Sequence, residues 1–354
     1  MCQSELHGFL EKLPKCEQHI HLEGALAPSL LFQLASRNAI SLPLDDEAFN
    51  SHEALLARYK RFSSLDDFLH YYFIGMSVLV HEDDFEAVAW DYFQHASSDG
   101  VQHAEVFFDP QAHMSRGVSY STVLDGFNAA RGRAQRELGI TTELICCFLR
   151  HLPVPECLAI FEQEEIQASY INGAIKGIGL DSSELGFPPH LFKDMYEKAT
   201  KQGLRRTAHA GEEGPASFIA SALETLGIER IDHGIRLADD EELMAQVAAS
   251  GIMLTICPLS NVVLGCVGSL KEIPIRKFLD AGIKFSINSD DPAYFGGYVL
   301  DNYCAIHEAF DLDIDDWERI CRSSIEESWC DENRKAEMIA MLENLVDIHP
   351  GLCE

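Results

Sequence analysis

The chain has 354 residues, of which 47% are hydrophobic, and its 57 acidic side chains outnumber the 27 basic ones, which gives a formal net charge of -30. This charge repels phosphate backbones and anionic lipid surfaces, so we expect neither a nucleic acid nor a membrane as a partner. No apolar run approaches the roughly 18 residues of a membrane-spanning helix, and the first residues lack the features of a signal peptide. We therefore expect a soluble intracellular protein, located in the cytoplasm with the nucleus as a second compartment.

The spacing of the cysteines does not imply disulfide bonds or a metal site with thiolate ligands. There are eleven of them, an odd number, and no C-x-x-C motif occurs. Neither a disulfide framework nor a thiolate zinc site is indicated. We expect most of the cysteines to be small core residues.

The first informative stretch, residues 14–24, is typical of a short strand that ends in two histidines. His19 and His21 are two residues apart, so in a strand both side chains project to the same face. Ile20 faces the opposite side, and Gly24 permits a sharp turn after the strand. Two imidazoles so placed can hold one divalent metal ion. The alternative is a pair of buried, hydrogen-bonded histidines, and the later motifs of the chain decide between the two.

Short apolar or β-branched runs then alternate with helical patterns, which indicates parallel βα units. We predict eight strands, at residues 16–21, 102–108, 143–149, 174–180, 205–209, 230–233, 252–256 and 284–288. The predicted helices between them cover residues 118–138, 153–169, 188–201, 216–226, 239–250 and 271–280. Eight such units predict an α/β fold of the (β/α)8 barrel type with a helical C-terminal tail. The alternative, an open doubly wound sheet, lacks the glycine-rich motif expected after its first strand.

The first crossover, residues 24–100, is long and has a helical pattern throughout, so we predict a helical cap inserted after the first strand. Ser64 and Asp67 have the spacing of a helix N-terminus. An apolar stripe comes next at helical spacing, formed by Leu65, Phe68, Leu69 and Tyr72. The stripe is explained by core packing or by a lid over a pocket. With no repeat or flexible linker in view, residues 1–354 are predicted to form a single domain.

Three later motifs place histidines and carboxylates where a predicted strand meets its loop. They are TAHAGEEG at residues 207–214 after the fifth strand, IDHG at 231–234 after the sixth, and SINSDDP at 286–292 after the eighth. In a barrel these strand ends converge on one mouth, which is the usual active-site face. The motifs, taken together with His19 and His21, predict a catalytic site at that mouth.

The residue types favour a zinc hydrolase. Two histidines from the first strand, His209 from the fifth and one carboxylate from the eighth would surround one Zn²⁺ per chain and leave a position for water. His and Asp also accept iron or manganese, so the metal is not fixed by the ligands alone. His233 would orient or deprotonate the water, and Glu212, three residues after His209, would protonate the substrate.

The strings HIHLEGAL, TAHAGEEG, IDHGI and SINSDDPAYFGG resemble the adenosine and adenine deaminases of the amidohydrolase superfamily, from Leu13 to about Trp329. Within that family the chain is most similar to the fungal-type enzymes that act on adenine, through LPKCEQHIHLEGAL, HAEVFFDPQAH, GLDSSE, LTICPLSN and NSDDPAYFGGYVLDNY. The resemblance implies deamination of adenine, with water, to hypoxanthine and ammonia. Its implied zinc ligands are His19, His21, His209 and Asp290.

The resemblance also implies roles for the other site residues. Glu212 would give a proton to purine N1, His233 would act on the water, and Asp291 would pair with N7. The stripe in the cap would be the apolar lid over the purine. Glu23 and Ser182 stand where adenosine deaminases have Asp and Gly near the ribose, so both are expected to fill the place of the sugar and to bind a free base.

Other functions are compatible with the same motifs. Adenosine deamination and deamination of an N6-substituted purine or purine nucleotide use the same machinery, and a barrel that binds metal without catalysis is a remote alternative. The H-x-E of the cytidine-deaminase zinc fold occurs at His21-Leu22-Glu23, but the P-C-x-x-C of that fold does not occur. Oligomeric state and protein partners are not predicted by these patterns.

Overall fold

In the computed structural model, which describes residues 6–349, eight parallel strands pair in chain order to form one sheet. An isolated parallel bridge joins Ile20 to Asp290, just beyond the first and last strands, and brings the two ends of the sheet together. The predicted (β/α)8 barrel is confirmed, and the doubly wound alternative is wrong. The strands are β1 Lys15–Glu17, β2 Val101–Phe108, β3 Thr141–Leu149, β4 Gly177–Asp181, β5 Arg205–Ala210, β6 Arg230–His233, β7 Met253–Ile256 and β8 Phe285–Ile287.

Helices cover the outside of the barrel and the residues before and after it. Those as far as β2 are α1 His7–Lys12, α2 Pro28–Arg37, α3 His52–Tyr59, α4 Leu65–Met76 and α5 Glu82–Ser98. Those between β2 and β8 are α6 Pro110–Met114, α7 Tyr120–Glu137, α8 Val154–Phe161, α9 Glu164–Ile171, α10 Lys193–Lys201, α11 Ala216–Ser221, α12 Glu241–Ser250, α13 Pro258–Val263 and α14 Ile275–Ala281. After β8 come α15 Pro292–Phe295, α16 Val299–Phe310, α17 Ile314–Glu326 and α18 Glu332–Asp347. Over residues 6–349, no helix has the length and apolarity needed to cross a bilayer.

Prolines and an extended residue between two helices explain where the predicted helices differ from the observed ones. The predicted helix 271–280 begins only at Ile275, because Pro274 keeps the preceding residue Ile273 extended. The predicted helix 188–201 begins as a 3₁₀ turn, Pro189–Phe192, after a residue that lacks a backbone N–H. The predicted helix 153–169 is two helices, α8 and α9, separated by an extended Gln163.

The segment between β1 and β2 is helical, as predicted, and α4 carries the apolar stripe. Ser64 is the N-cap of α4, and its hydroxyl accepts a hydrogen bond from the backbone N–H of Asp67 at 3.2 Å. This interaction satisfies one of the otherwise unpaired donors at the helix start. The start of α4 is thereby fixed, and its next turns lie against the mouth of the barrel.

Apolar side chains fill the inside of the barrel below this mouth. Phe107, Ile145, Cys147 and Trp329 form a separate buried cluster, distinct from the main core between the sheet and its helices. Trp329 comes from the residues after α17 and lies against the barrel interior. Beside this cluster the interior also holds a buried ion pair, Arg230 with Glu105, and the Arg230 guanidinium lies over the Trp329 ring. The interior is therefore a packed core with one paired charge, and a second group of polar side chains lies at the carboxyl ends of the strands.

Candidate active site

Four side chains converge at the carboxyl ends of β1, β5 and β8. Donor atoms of His19, His21, His209 and Asp290 lie within 4.8 Å of one another. The Asp290 Oδ1 atom is 3.2 Å from His19 Nε2 and 3.6 Å from His21 Nε2. The structure thus brings together the four residues that the sequence pattern predicts as metal ligands.

The two histidines of the first strand are held in the neutral form that binds metals. Burial, only partly opposed by the charge of Asp290, lowers the pKa of His21 to about 3. Burial also lowers the pKa of His19. Although burial acts to raise the pKa of the Asp290 carboxyl, the adjacent histidines, His19 foremost, hold it well below its usual range. Neutral imidazoles beside an ionised carboxylate are the donor set that a divalent metal requires.

Two residues behind this cluster orient its imidazoles. The Asp232 Oδ2 atom lies 3.6 Å from His209 Nδ1. Burial acts to lower the pKa of His209, but the interaction with Asp232 outweighs it, so the pKa is raised. The Thr255 hydroxyl is 2.8 Å from His19 Nδ1 and donates to Asp232 Oδ1 at 3.1 Å. Because Asp232 and Thr255 lie on the Nδ1 side of these two rings, the Nε2 side is presented to the cluster.

The cluster satisfies a direct test of its fitness for a metal. His19 Nε2 is buried and has no hydrogen-bond partner among residues 6–349, although Asp290 lies beside it. A second group of donors, His19, His233, Cys257 and Asp290, is also close enough to share an ion. Burial raises the pKa of the Cys257 thiol well above its usual range, which disfavours the thiolate that would bind. The set with three histidines and Asp290 is the better fit.

Glu212 and His233 form an acid–base pair beside the cluster. His233 Nε2 is 3.5 Å from Glu212 Oε2 and 3.9 Å from Asp290 Oδ2, while Asn261 contacts His233 Nδ1 at 3.3 Å. Burial first, and then the charge of Asp290, raises the pKa of Glu212 well above its usual range. Burial lowers the pKa of His233 well below its usual range. These shifts favour the protonated form of Glu212 and the neutral form of His233, which are the forms that a general acid and a general base require.

Asp291 lies next to the cluster and depends on a glycine. A Cβ atom on Gly24 would lie only 2.0 Å from Asp291 Oδ1, so any side chain there would displace the carboxyl group. Burial and the charge of Asp290 raise the pKa of Asp291 well above its usual range. Its carboxyl group can thus donate a hydrogen bond to an acceptor in the cavity.

A cavity connects these groups to the cap. It is lined on the apolar side by the four predicted stripe residues. On the polar side it is lined by the two catalytic residues, by three of the four residues of the metal cluster, and by carboxylates beside them. Its lining comprises His21, Leu65, Phe68, Leu69, Tyr72, Asp109, Leu149, Asp181, Ser182, His209, Glu212, His233, Leu264, Asp290 and Asp291. The position of the stripe agrees with a lid over the pocket.

Glu23 lies beside the cavity but is not among the residues that line it. It is buried, so its expected contact with the substrate stays a prediction, whereas its contacts within the protein are clear. Its Oε1 atom accepts hydrogen bonds from the Asp109 backbone N–H at 3.1 Å and from His113 Nε2 at 3.0 Å. The longer side chain reaches these two donors. Ser182, in contrast, lines the cavity as expected, and its hydroxyl contacts His151 Nδ1 at 2.7 Å.

Backbone strain is concentrated at this site. Three of the five non-glycine residues with positive φ within residues 6–349 are Ser182 (71°), His233 (58°) and Asp290 (65°). Such conformations cost of the order of 1 kcal/mol or more each and persist where the surrounding structure enforces them. Their position directs these side chains into the cavity.

The sequence pattern did not single out Asp109 and Asp181 as cavity residues, or Asp232 as the residue that orients His209. Asp109 directly follows β2 and Asp181 ends β4, so the rule that identified Asp290 also applied to them. Asp232 stands two residues after Arg230 in β6, which places it on the inner face of the strand. Thr255 and Asn261 had no comparable signal, because neutral residues at strand ends are common.

Known proteins are similar in sequence to this chain over almost its whole length. The family model described as adenosine deaminase matches residues 14–345. A protein from Aspergillus fumigatus named adenine deaminase is 57% identical over 99% of this chain and 99% of its own length.

Solved structures are similar over nearly the whole chain. The crystal structure of adenine deaminase from Arthrobacter aurescens has a TM-score of 0.89 and 40% identity, and covers 95% of this chain and 99% of its own. An amidohydrolase from Burkholderia ambifaria with bound Zn has a TM-score of 0.86 and 28% identity, over 98% of this chain and 97% of its own.

Proposed function

The chain belongs to the adenosine deaminase family, and from that premise we propose that it catalyses the hydrolytic deamination of adenine to hypoxanthine and ammonia, a purine-salvage reaction. The observation that carries the proposal is the single cavity that joins the four-residue cluster, the Glu212–His233 pair and Asp291. The Aspergillus and Arthrobacter relatives named adenine deaminase support the free base as substrate.

Glu212 acts as the general acid. Its carboxyl group is buried and lines the cavity, and its raised pKa favours the protonated form, which can give a proton to N1 of the purine ring. Protonation of N1 withdraws electrons from C6 and prepares that carbon for attack by water. The bond from C6 to the oxygen of water forms, and the bond from C6 to the exocyclic nitrogen then breaks to release ammonia.

His233 acts as the general base. Its neutral imidazole lies between Glu212 and Asp290 and can take a proton from the attacking water. The proton that His233 removes is delivered to the leaving nitrogen, and the second proton of the water leaves the oxygen as the C6 carbonyl forms and returns to Glu212, so both side chains are restored and the reaction balances without a further donor. Asp291, with its raised pKa, donates a hydrogen bond to N7 and holds the ring in place.

His19, His21, His209 and Asp290 would hold one Zn²⁺ per chain. A zinc ion bound there would activate water for attack at neutral pH, because it lowers the pKa of water to about 7. The bound Zn in the Burkholderia ambifaria amidohydrolase supports this choice of metal. The protein supplies the geometry: Asp232 and Thr255 hold the imidazoles, and the half-buried or buried side chains of α4 exclude bulk water.

We expect the wild-type enzyme to prefer adenine over adenosine by at least about 10³-fold in kcat/KM. A ribose must fit against the buried walls at Asp109 and Ser182, and overpacking and an unpaired buried polar group cost about 2 kcal/mol each, or about 4 kcal/mol together, which corresponds to about 10³-fold. The ratio is measured by steady-state assays with both substrates on metal-loaded protein. The double variant Glu23→Asp with Ser182→Gly should lower the ratio of kcat/KM for adenine to that for adenosine. The first substitution weakens the hydrogen bond to the Asp109 backbone, and the second removes the hydroxyl group from the cavity.

The same assays decide between the proposed function and its rivals. Equal turnover of adenosine and adenine, or turnover of N6-substituted adenines or AMP in preference to adenine, would contradict the substrate assignment. A protein that binds metal but consumes none of these would be the non-catalytic barrel. Its retained Glu212 and His233 argue against that outcome, since neither is needed to form the fold.

A further inference from the structure

Asp109 presents a buried carboxyl group to the cavity, and the chemistry at C6 makes no use of it. It is 1% exposed and directly follows β2. The Tyr72 hydroxyl donates to its Oδ2 atom at 3.3 Å, whereas Oδ1 receives no hydrogen bond from an N–H or hydroxyl group of residues 6–349. Burial and then the charge of Glu23 raise the pKa of Asp109 to about 7, and the other groups that act on it, Asp181 and Tyr72, include no cation. A buried acceptor of this kind calls for a donor from the ligand.

A free purine base differs from its nucleoside at one ring nitrogen. The base carries an N–H there, and the nucleoside carries a sugar. A residue that selects the base must therefore accept one hydrogen bond and leave no room for a substituent. Asp109 meets both conditions, because its Oδ1 atom has no N–H or hydroxyl partner within residues 6–349 and only the neighbouring Asp181 carboxyl acts on it there, and because it forms part of the buried cavity wall.

The other polar residues of the cavity have contacts that assign them to other roles. Glu212, His233 and Asp290 lie beside the metal cluster, and the Ser182 hydroxyl is paired with His151. Asp181 and Asp291 also keep one oxygen each without a hydrogen bond to a group of residues 6–349, but Asp181 Oδ2 lies 3.6 Å from His21 Nδ1, beside the cluster, and Asp291 is the residue assigned to N7. Asp109 contacts Tyr72 of the cap instead.

Glu23 explains how Asp109 is held. The His113 Nδ1 atom accepts a hydrogen bond from Arg116 at 2.8 Å, so His113 Nε2 carries a proton and donates it to Glu23. The same Glu23 oxygen accepts the Asp109 backbone N–H. Glu23 thus fixes the start of α6 and, with it, the direction of the Asp109 side chain.

We propose that Asp109 accepts the hydrogen bond of the unsubstituted ring N–H, at N9 of adenine, and thereby selects a free base over an N9-substituted nucleoside, with Glu23 as its positioning residue. The inference rests on the proposed function and deepens it. It replaces direct contact of Glu23 with the substrate by a contact through Asp109.

The test compares ligands with and without a donor at that position. In the wild type, hypoxanthine should bind at least about tenfold more tightly than 9-oxahypoxanthine, the oxazolopyrimidinone in which a ring oxygen replaces N9–H, the size is nearly the same and N7 remains an acceptor for Asp291. Asp109→Asn should bring this ratio close to one. Asp109→Ala opens space, so turnover of 9-methyladenine relative to adenine, compared as kcat/KM, should rise by at least about tenfold over the wild-type ratio.

Two further variants separate positioning from general damage. Glu23→Ala should lower the hypoxanthine preference, and Glu23→Gln, which keeps an acceptor for the Asp109 N–H, should restore most of it. Asp91→Asn, on the partly exposed face of α5 and outside the cavity, is the matched control and should leave both ratios unchanged. Metal content and thermal midpoints are measured for every variant.

Several outcomes would overturn the inference. Equal binding of hypoxanthine and 9-oxahypoxanthine by the wild type does so even if no variant folds, and so does an Asp109→Asn protein that keeps the wild-type preference. Loss of a second metal equivalent in Asp109→Asn would assign Asp109 to a metal site with His21 and Asp181, which are close enough to share an ion. A wild-type protein that consumes no adenine would instead refute the proposed function and leave the binding comparison to be judged separately.

Discussion

The Glu212→Gln variant is expected to lose between about 10² and 10⁴-fold in kcat while it keeps its metal and its affinity for hypoxanthine. Gln has nearly the same size as Glu but cannot give a proton to N1. Because the wild-type carboxyl acts in its protonated form, we also expect the wild-type rate to fall as the pH rises through the raised pKa of Glu212, and this fall should be absent in the variant. Steady-state kinetics across pH, with metal analysis of each preparation, measure both effects.

The neighbouring residue provides a control for this experiment. Glu213 is half-buried and does not line the cavity, so Glu213→Gln should change kcat by less than about threefold, as surface changes away from such features usually do. A Glu212→Gln protein that retains more than about a tenth of the wild-type rate would mean that another group supplies the proton.

Removal of one histidine from the cluster should have a comparable or larger effect. In His21→Ala the metal set keeps only three protein ligands, so we expect the purified protein to hold well under one equivalent of zinc. Activity should fall by more than about 10³-fold, since activation of water at neutral pH accounts for about 12 kcal/mol of the chemistry. Elemental analysis and activity before and after zinc addition measure the change.

An exposed histidine is the matched control. The His52 side chain is 50% exposed on α3, and His52→Ala should keep both the metal and the activity. Full zinc occupancy in His21→Ala would contradict the ligand assignment, whatever the activity of that variant.

The sequence predicted most of the site because the polar residues of a parallel barrel's active site lie at the carboxyl ends of its strands. His19 and His21 share a strand face, and His209 and Asp290 come at strand ends, so a parallel barrel brings all four together. The first strand itself is shorter than predicted, Lys15–Glu17 with isolated bridges at Ile20 and His21, yet both histidines still face the mouth. Residue spacing alone was enough for that result.

The features that residue spacing does not predict depend on how far a side chain reaches and which groups it contacts. Glu23 stands directly after the histidine motif, but whether its carboxylate enters the pocket or turns to His113 and the Asp109 backbone depends on contacts between distant segments. The strained conformation of Ser182 likewise has no local sequence signal. The helix limits that were predicted wrongly lie at proline residues and at the extended Gln163, where packing against neighbouring elements determines where a helix begins or ends.

Conversion of adenine by the wild-type, zinc-loaded protein tests the central claim most directly. The ultraviolet spectrum of adenine should change to that of hypoxanthine, with one ammonia released for each adenine consumed, and adenosine at the same concentration should react at least about 10³-fold more slowly. An unchanged adenine spectrum in the presence of protein with full zinc occupancy would contradict the assignment of this chain as an adenine deaminase.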